Sequence, residues 1–449
     1  MNTGRTYTSW GRHFCYQHTV HRLHHRSDDL SFMTTAQTPL LPFGMGRSYG
    51  DSCLNGGGIL IDTSSMDHFI SFDAGSGRLR CEAGLCLGDA LAVTIPRGWF
   101  LPVTPGTRYT TIGGAIANDV HGKNHHRAGT FGRHVTCLEL VRSDGSRRVC
   151  SAKENSELFR ATIGGLGLTG LITWAEIQLA PISSFAIETE TIPFESFEEF
   201  LSLSRESVET YEYTVAWVDA LAPGSGLGRG VFIRGNHHPG GERRFGCEAY
   251  TPSPPLFRVP CDCPPFLLSR ATMRLFNTLY YRRHGRKKRR AIESVDTFFY
   301  PLDRVGEWNR LYGRAGLIEC QFVVPPAQAG LIPELLVRIR AGRSRSGLGS
   351  GSFLTILKEF GRIESPGLLS FPMEGITLTL DFPHRGEATR DELACIYEMV
   401  HRAGGRFYPA KDSMMSPSLF AASYPRWQEF AALVDPKFSS NFWRRVTLA

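Results

Sequence analysis

Three glycine-rich stretches, "PFGMGRSYGDSCLNGGG" (Pro42 to Gly58), "TPGTRYTTIGGAIANDVHGKNHH" (Thr104 to His126) and "GGLGLTG" (Gly164 to Gly170), fall within the first 170 residues. Glycine leaves the backbone unobstructed, so a ligand can approach the chain closely. Successive free N–H groups in such a turn form an anion nest suited to a pyrophosphate. The third stretch contains Gly165-x-Gly167-x-x-Gly170, the spacing of the Rossmann fingerprint. That fingerprint needs a strand before it and a helix after it. Here the helix-like "ENSELFRAT" precedes and the alternating "LITWAEIQLAP" follows, so the order is reversed and a Rossmann NAD site is excluded.

Short strands and turns fill this first third. An apolar run, Ile59 to Ile61, follows three glycines, and "LRCEAGLCLGDALAVTIPRGW" reads as a strand and then a helix. "HVTCLELVRSDGSRRVCS" alternates on both sides of Asp144-Gly145, which predicts a hairpin. The strand that ends at Pro181 marks a domain edge. From Ser183 to about Gly404 the elements are longer and mixed, and Pro252 to Arg290, rich in Pro and then Arg, predicts a mobile stretch. Ser416 as N-cap with Pro417 at the first helical position predicts a helical tail. A chain of 449 residues exceeds what one core usually serves.

Composition narrows the function classes. Much of the net charge of +7 is concentrated in "RRHGRKKRR" (Arg282 to Arg290) rather than spread over a face. No nucleic-acid motif accompanies that run, so it reads either as a solvated loop or as a membrane-surface contact. The 11 cysteines have no framework spacing, "CDC" (Cys261, Cys263) lacks the partner pair of a zinc site, and the N-terminus has no apolar h-region. Reduced thiols in the cytoplasm are the expectation. No apolar run is long enough to span a bilayer.

The stretch "NDVHGKNHHRAGTFGRH" (Asn118 to His134) carries four histidines. Adjacent histidines rarely face one metal, and Lys123 would set a positive charge beside a cation, so no metal is expected. A loop that approaches a flavin or its phosphates needs glycine, donors and cationic character, all present here.

"GMGRSYGD", "LPVTPGTRYTTIGGAIANDVHGKNHHRAGTFGRHV", "LFRATIGGLGLTG", "VGEWNRLYG", "QFVVP", "LDFP" and "YPAKDS" occur in this order from about Trp10 to the C-terminus. Together they resemble the decaprenylphosphoryl-β-D-ribose 2′-oxidase family, flavoproteins of the vanillyl-alcohol oxidase (PCMH) type. The resemblance implies an α+β, two-domain PCMH-type FAD-binding fold with an inserted α+β substrate domain. Residues 1–181 would form the FAD-binding domain, 182–403 the substrate domain, and 404–449 a C-terminal segment completing the first.

The resemblance also assigns residues. Gly44, Gly46, Arg47, Ser48, Tyr49, Gly50 and Asp51 fall on the pyrophosphate side of the cofactor. Gly106, Thr111, Ile112, Gly113, Gly114, Asn118 and His121 fall on its other flank, and Ile172 and Tyr408 match further FAD contacts. Many relatives tether FAD through a histidine where this chain has Tyr49, so FAD is expected to be non-covalent. Lys411, Tyr49 and His121 match the catalytic positions; Gln321, Lys358, Lys411 and Thr379 match substrate positions. Three departures stand out. Thr379 replaces a reactive cysteine, Phe299 a tyrosine that faces the flavin, and Glu319 another polar partner. Asn309 and Arg310 read as a structural helix surface.

The activity implied is FAD-dependent oxidation of a secondary sugar alcohol to a ketone, at the 2′-OH of a polyprenyl-phosphoryl-β-D-ribose. This would be the first half of an epimerisation to the arabinose form. A separate NAD(P)H-dependent short-chain reductase would be the partner, with the protein cytoplasmic or peripheral at the inner membrane face. Two other readings stay open: an aldonolactone or sugar-alcohol oxidase acting on a soluble substrate, and a catalytically silent flavin-binding protein.

Overall fold

The computed structural model describes residues 7–285, 287–342 and 351–447. Helical and strand elements intermix, and the chain builds two sheet systems in turn. The first holds a parallel three-stranded sheet (Thr19–Arg22, Ile59–Asp62, Leu40–Phe43) and an antiparallel five-stranded sheet. The five strands run in the order Phe69–Asp73, Arg78–Glu82, Leu171–Gln178, Val135–Val141, Arg147–Ser151. Its last two strands are the expected hairpin, turned by Gly145 at φ 83° while Asp144 Oδ1 accepts from Ser146 N–H. Helix Ser156–Thr162 precedes Gly165–Gly170 and the strand Leu171–Gln178 follows, the order that rules out a Rossmann crossover.

The second system is a mixed-length sheet of eight strands that begins at Ala186–Phe194 and ends with Arg406–Phe407 at one edge. Its centre is laid down by strict alternation, since successive side chains on a strand point to opposite faces. On Leu317–Val324 and Gly375–Pro383, the residues Ile318, Cys320, Phe322, Val324, Ile376, Leu378, Leu380 and Phe382 join the main core. Helices Phe197–Ser207, Leu331–Ala341 and Glu387–Arg402 pack their apolar stripes there through Phe200, Leu335 and Ile396. The other face of the same strands carries Glu319, Gln321, Thr377, Thr379 and Asp381, with Lys358 from Thr355–Phe360 opposite Thr377.

After Phe407 the chain returns to the first sheet system. Leu40 N–H donates to Lys437 O at 2.7 Å and Asp435 N–H to Leu168 O at 2.9 Å. Arg445 binds Asp51 at 2.6 Å and Asp412 at 3.0 Å, tying the first glycine loop to the tail. Helix Pro417–Ser423 starts as expected, Ser416 Oγ accepting from Leu419 N–H.

Two expectations are corrected. Part of Pro252 to Arg290 is built into the fold: Ser269 caps a 15-residue helix, Arg270–His284, which is pinned by buried Met273 and Asn277. Asn277 donates to Asp219 at 3.0 Å, a contact that proline and arginine content gave no hint of. Asn309 is buried and donates to Trp10 O at 3.0 Å, so it holds the N-terminal segment instead of lying on a helix surface.

Candidate active site

The loop Pro42 to Gly58 runs from the parallel sheet toward the polar face of the large sheet. Gly46 adopts φ 62°, the left-handed geometry that turns successive N–H groups to one side. Gly50 packs so tightly that a Cβ there would meet Asp412 O at 1.7 Å. Tyr49 N–H donates to Ala410 O, but among the described residues the N–H groups of Gly46, Arg47, Ser48 and Gly50 reach no protein acceptor. The Arg47 guanidinium lies over Trp10 at 4.1 Å and Tyr109 at 5.2 Å, and its buried Nε has no partner.

The second glycine loop is differently spent. Thr111 caps helix Ile112–Ala117 by accepting from Gly114 N–H, while Ile112 and Gly113 donate to Leu85 O and Ala83 O. Those first-turn donors are therefore used inside the protein. Asn118 Nδ2 donates to Gly114 O, and Asn118 O accepts from the Tyr408 hydroxyl at 3.0 Å. A Cβ on Gly106 would meet nothing within 4 Å, so space is left beside it. Gly44 sits against Thr111 Oγ1, joining the two loops. Ile172 is buried within the five-stranded sheet.

The four histidines take four different partners. His121 Nε2 lies 2.9 Å from Gln321 Nε2, His126 meets Tyr211 O, His134 meets Ala128 O, and His125 is buried against Phe360 with neither ring nitrogen bonded. Burial lowers the His121 pKa well below 6.5, and nearby Lys358, Lys411 and His125 add to it. His121 is thus neutral, and with Gln321 donating to Nε2 the proton sits on Nδ1. The grouping with metal-ligand spacing among the described residues lies elsewhere, at His25, His68 and Glu82. There the carboxylate already accepts from the backbone N–H groups of Arg26 and His68, and the Arg26 guanidinium stands 3.5 Å away.

The polar face of the large sheet closes the site. Lys411, in the turn Pro409–Lys411, is ion-paired with buried Glu319 and lies 5.6 Å from the Tyr49 ring centroid. Lys358 is half-buried 3.5 Å from Gly122 O, and desolvation, then Lys411 and Lys123, draws its pKa down to about 7. Gln321 also donates to Thr377 Oγ1 at 3.1 Å. His121 Nδ1, Gln321 Oε1, Glu319 Oε2, Asp381 Oδ1 and the Tyr312 hydroxyl are buried and unpartnered. Unsatisfied buried polar atoms are rare in folded proteins, and their convergence marks a place built for a ligand.

Comparison with known proteins fits this geometry. Residues 27–151 match the FAD binding domain family. Over 420 residues the chain is 36% identical to decaprenylphosphoryl-β-D-ribose oxidase of Mycolicibacterium smegmatis, covering 90% of this chain and 88% of that one. This chain belongs to that FAD-binding oxidoreductase family. A Streptomyces coelicolor protein of undefined activity is 32% identical over 79% of this chain and 98% of its own. Human Δ(24)-sterol reductase shares 35% identity over only 107 residues, 24% of this chain and 21% of its own.

As a member of the family, the protein is an FAD-dependent oxidoreductase, and its residues fit the cofactor. The free N–H groups of Gly46, Arg47, Ser48 and Gly50 would cradle the pyrophosphate, and Gly106 leaves room beside the second loop. FAD held there would supply a hydride acceptor. The Asp51 carboxylate is held by Arg445, so any part it has toward FAD falls to its backbone. Thr379 lies buried on the polar face, one strand from Gln321. Phe299 packs edge-on against Tyr213 at 4.8 Å, inside the second core. Sequence reasoning missed Asp381 and Tyr312. The alternation Thr377, Thr379, Asp381 was the available signal, but it needed the partner strand to become meaningful.

Proposed function

We propose that the protein oxidises the 2′-hydroxyl of a polyprenyl-phosphoryl-β-D-ribose to the ketone, the first half of an epimerisation. The observation that carries this reading is the near full-length likeness to a decaprenylphosphoryl-β-D-ribose oxidase, with buried polar groups gathered where the second glycine loop meets the large sheet. Lys411 and Lys358 supply cationic character for an anionic substrate, and neutral His121 supplies a donor from Nδ1. Lys411 is positioned to hold the hydroxyl that loses its proton. A separate NAD(P)H-dependent short-chain reductase would complete the epimerisation.

A polyprenyl substrate resides in a membrane, and among the described residues no helix is long and apolar enough to cross one. Peripheral docking is supported by the helix Arg270–His284, whose Leu275, Phe276 and Leu279 are exposed next to Phe266 and Leu267. The decisive experiment is anaerobic titration of the purified flavoprotein with polyprenyl-phosphoryl ribose, followed by flavin absorbance. Bleaching is expected. Bleaching by soluble aldonolactones or sugar alcohols instead would overturn the lipid-linked substrate, and no bleaching by either class would indicate a silent binder.

A further inference from the structure

Glu319 and Asp381 face each other across the ladder between Leu317–Val324 and Gly375–Pro383. Directly opposed residues on one face of such a ladder have Cβ atoms about 4.5–5.5 Å apart, and like charges there repel. Both side chains are buried, at 3% and 1% exposure. One cation, Lys411, is paired with Glu319. The other titratable groups that face these acids are the Tyr49 and Tyr312 hydroxyls, with Lys358 further along the same face.

Two ionised carboxylates against one ammonium would leave an uncompensated buried charge. Glu319 Oε2 and Asp381 Oδ1 make no well-formed hydrogen bond among the described residues, and the Tyr49 and Tyr312 hydroxyls beside them are the weak donors on hand. One proton held by the two carboxyls removes the excess charge and gives a bare oxygen a donor. Burial, and then the Glu319 charge, raise Asp381 well above the usual carboxylate range, so the proton resides mainly there.

We infer that Glu319 and Asp381 share one proton and act behind Lys411 as the acceptor for the proton that leaves the substrate hydroxyl. This rests on the alcohol-oxidase reading above. Lys411 Nζ gives a proton to Glu319 and takes the hydroxyl proton in its place. The O–H electron pair becomes the second C–O bond, and the C–H electron pair leaves with the hydride to the flavin. The carboxyl pair goes from one proton to two, and Lys411 ends as it began, an ammonium. Glu319 and Asp381 are positioning residues, reaching the substrate only through Lys411.

Infrared difference spectroscopy on the FAD-loaded protein tests the shared proton without any substrate. Wild type minus Asp381→Asn should show a protonated-carboxyl C=O band that shifts in D2O and disappears as pH is raised. No such band overturns the shared proton. With polyprenyl-phosphoryl ribose, Glu319→Gln should slow flavin reduction by about 100-fold or more, the lower end for general acid–base groups, at unchanged FAD content. Asp381→Asn should lose far less at neutral pH and lose the alkaline limb of the rate profile. A Glu319→Gln rate within about tenfold of wild type, where ~100-fold is expected, overturns the relay. Failure of wild type to be reduced by any polyprenyl-phosphoryl pentose removes the functional reading and the relay together, while the infrared result still decides the shared proton.

Discussion

Gln321 on the large sheet and His121 in the second glycine loop meet at 2.9 Å, both buried, so a hydrogen bond joins that loop to the polar face of the sheet. Because His121 is held neutral, it should contribute no ionisation near pH 6.5 to the rate profile. Removing it strands the Gln321 amide, and an unsatisfied buried polar group costs about 1–3 kcal/mol. His121→Ala is therefore expected to lower the unfolding midpoint while leaving the wild-type profile without a limb to lose. A wild-type limb near pH 6.5 that vanishes in the variant would contradict the neutral assignment.

The family resemblance sets Tyr49 where a histidine could bind FAD covalently, and its backbone N–H is fixed to Ala410 O at 2.7 Å. A phenol cannot form the histidyl link. Acid precipitation of purified protein should release all the yellow colour to the supernatant. Flavin retained in the washed pellet would show the opposite.

Lys411→Ala should keep FAD and lose substrate-driven flavin reduction by at least ~100-fold, the scale of a lost acid–base group. Lys411 is tied to a buried carboxylate and is not a free surface lysine. The change leaves Glu319 without its cation, so the variant should also unfold at lower denaturant, consistent with the cost of an unpaired buried charge. Reduction within about tenfold of wild type, against the expected ~100-fold, would take Lys411 out of the proton path.

How much of this was legible beforehand depended on range along the chain. The Asp144-Gly145 hairpin and the Ser416-Pro417 helix start were readable because a few adjacent residues decide them. The reversed strand–helix order around Gly165 was equally local. Lys411, Gln321 and His121 were identified only through family resemblance; nothing nearby says that a loop histidine meets a strand glutamine. Glu319 stood out as a departure, yet its partner Asp381 could not, because register between distant strands is set by packing of Ile318, Cys320, Leu378 and Leu380 on the opposite face. The ordered helix after Ser269 was hidden by proline and arginine content, which says nothing about burial of Met273.

Stability should fall between pH 6.5 and 4. His13, His125 and His237 are each lowered to about 4, with burial the largest cause in every case. Above pH 6.5 these rings are neutral in folded and unfolded chains alike, so they add no pH dependence. Below it the unfolded chain takes up protons that the folded protein refuses, and stability is lost until the folded pKa is reached. Each ring contributes up to about 1.4 kcal/mol per pH unit in that window. Glu190, lowered from 4.5 to about 2, adds a further loss only at the acid end of this window, while Asp381, protonated first in the folded chain, opposes the loss by about one ring's worth. The urea midpoint should drop clearly from pH 7 to pH 5, and His125→Phe should flatten the slope. Equal midpoints at the two pH values would refute it.

Membrane docking gives the last prediction. On helix Arg270–His284, Leu279 lies four residues from Leu275 and three from Phe276, so it shares a face with both, and the three are 58%, 61% and 48% exposed. Phe266 and Leu267 extend that patch. Met273 of the same helix is buried, and Tyr280 packs on Trp217 at 4.7 Å, so the exposed apolar surface is centred on Leu275. The basic run is also sorted. Lys288 and Arg290 are paired with Glu190, whereas Arg282, Arg283, Lys287 and Arg289 are exposed. Arg286 lies outside the described residues. Each basic residue near an anionic leaflet is worth roughly 1 kcal/mol, screened by salt. Serine at Arg282, Arg283, Lys287 and Arg289 should weaken cosedimentation with anionic liposomes and remove most of its salt dependence. Serine at Leu275, Phe276 and Leu279 should weaken binding even at high salt, because apolar burial is not screened. FAD content should be unchanged in both. If both variants sediment with liposomes as wild type does, this face does not dock on membranes.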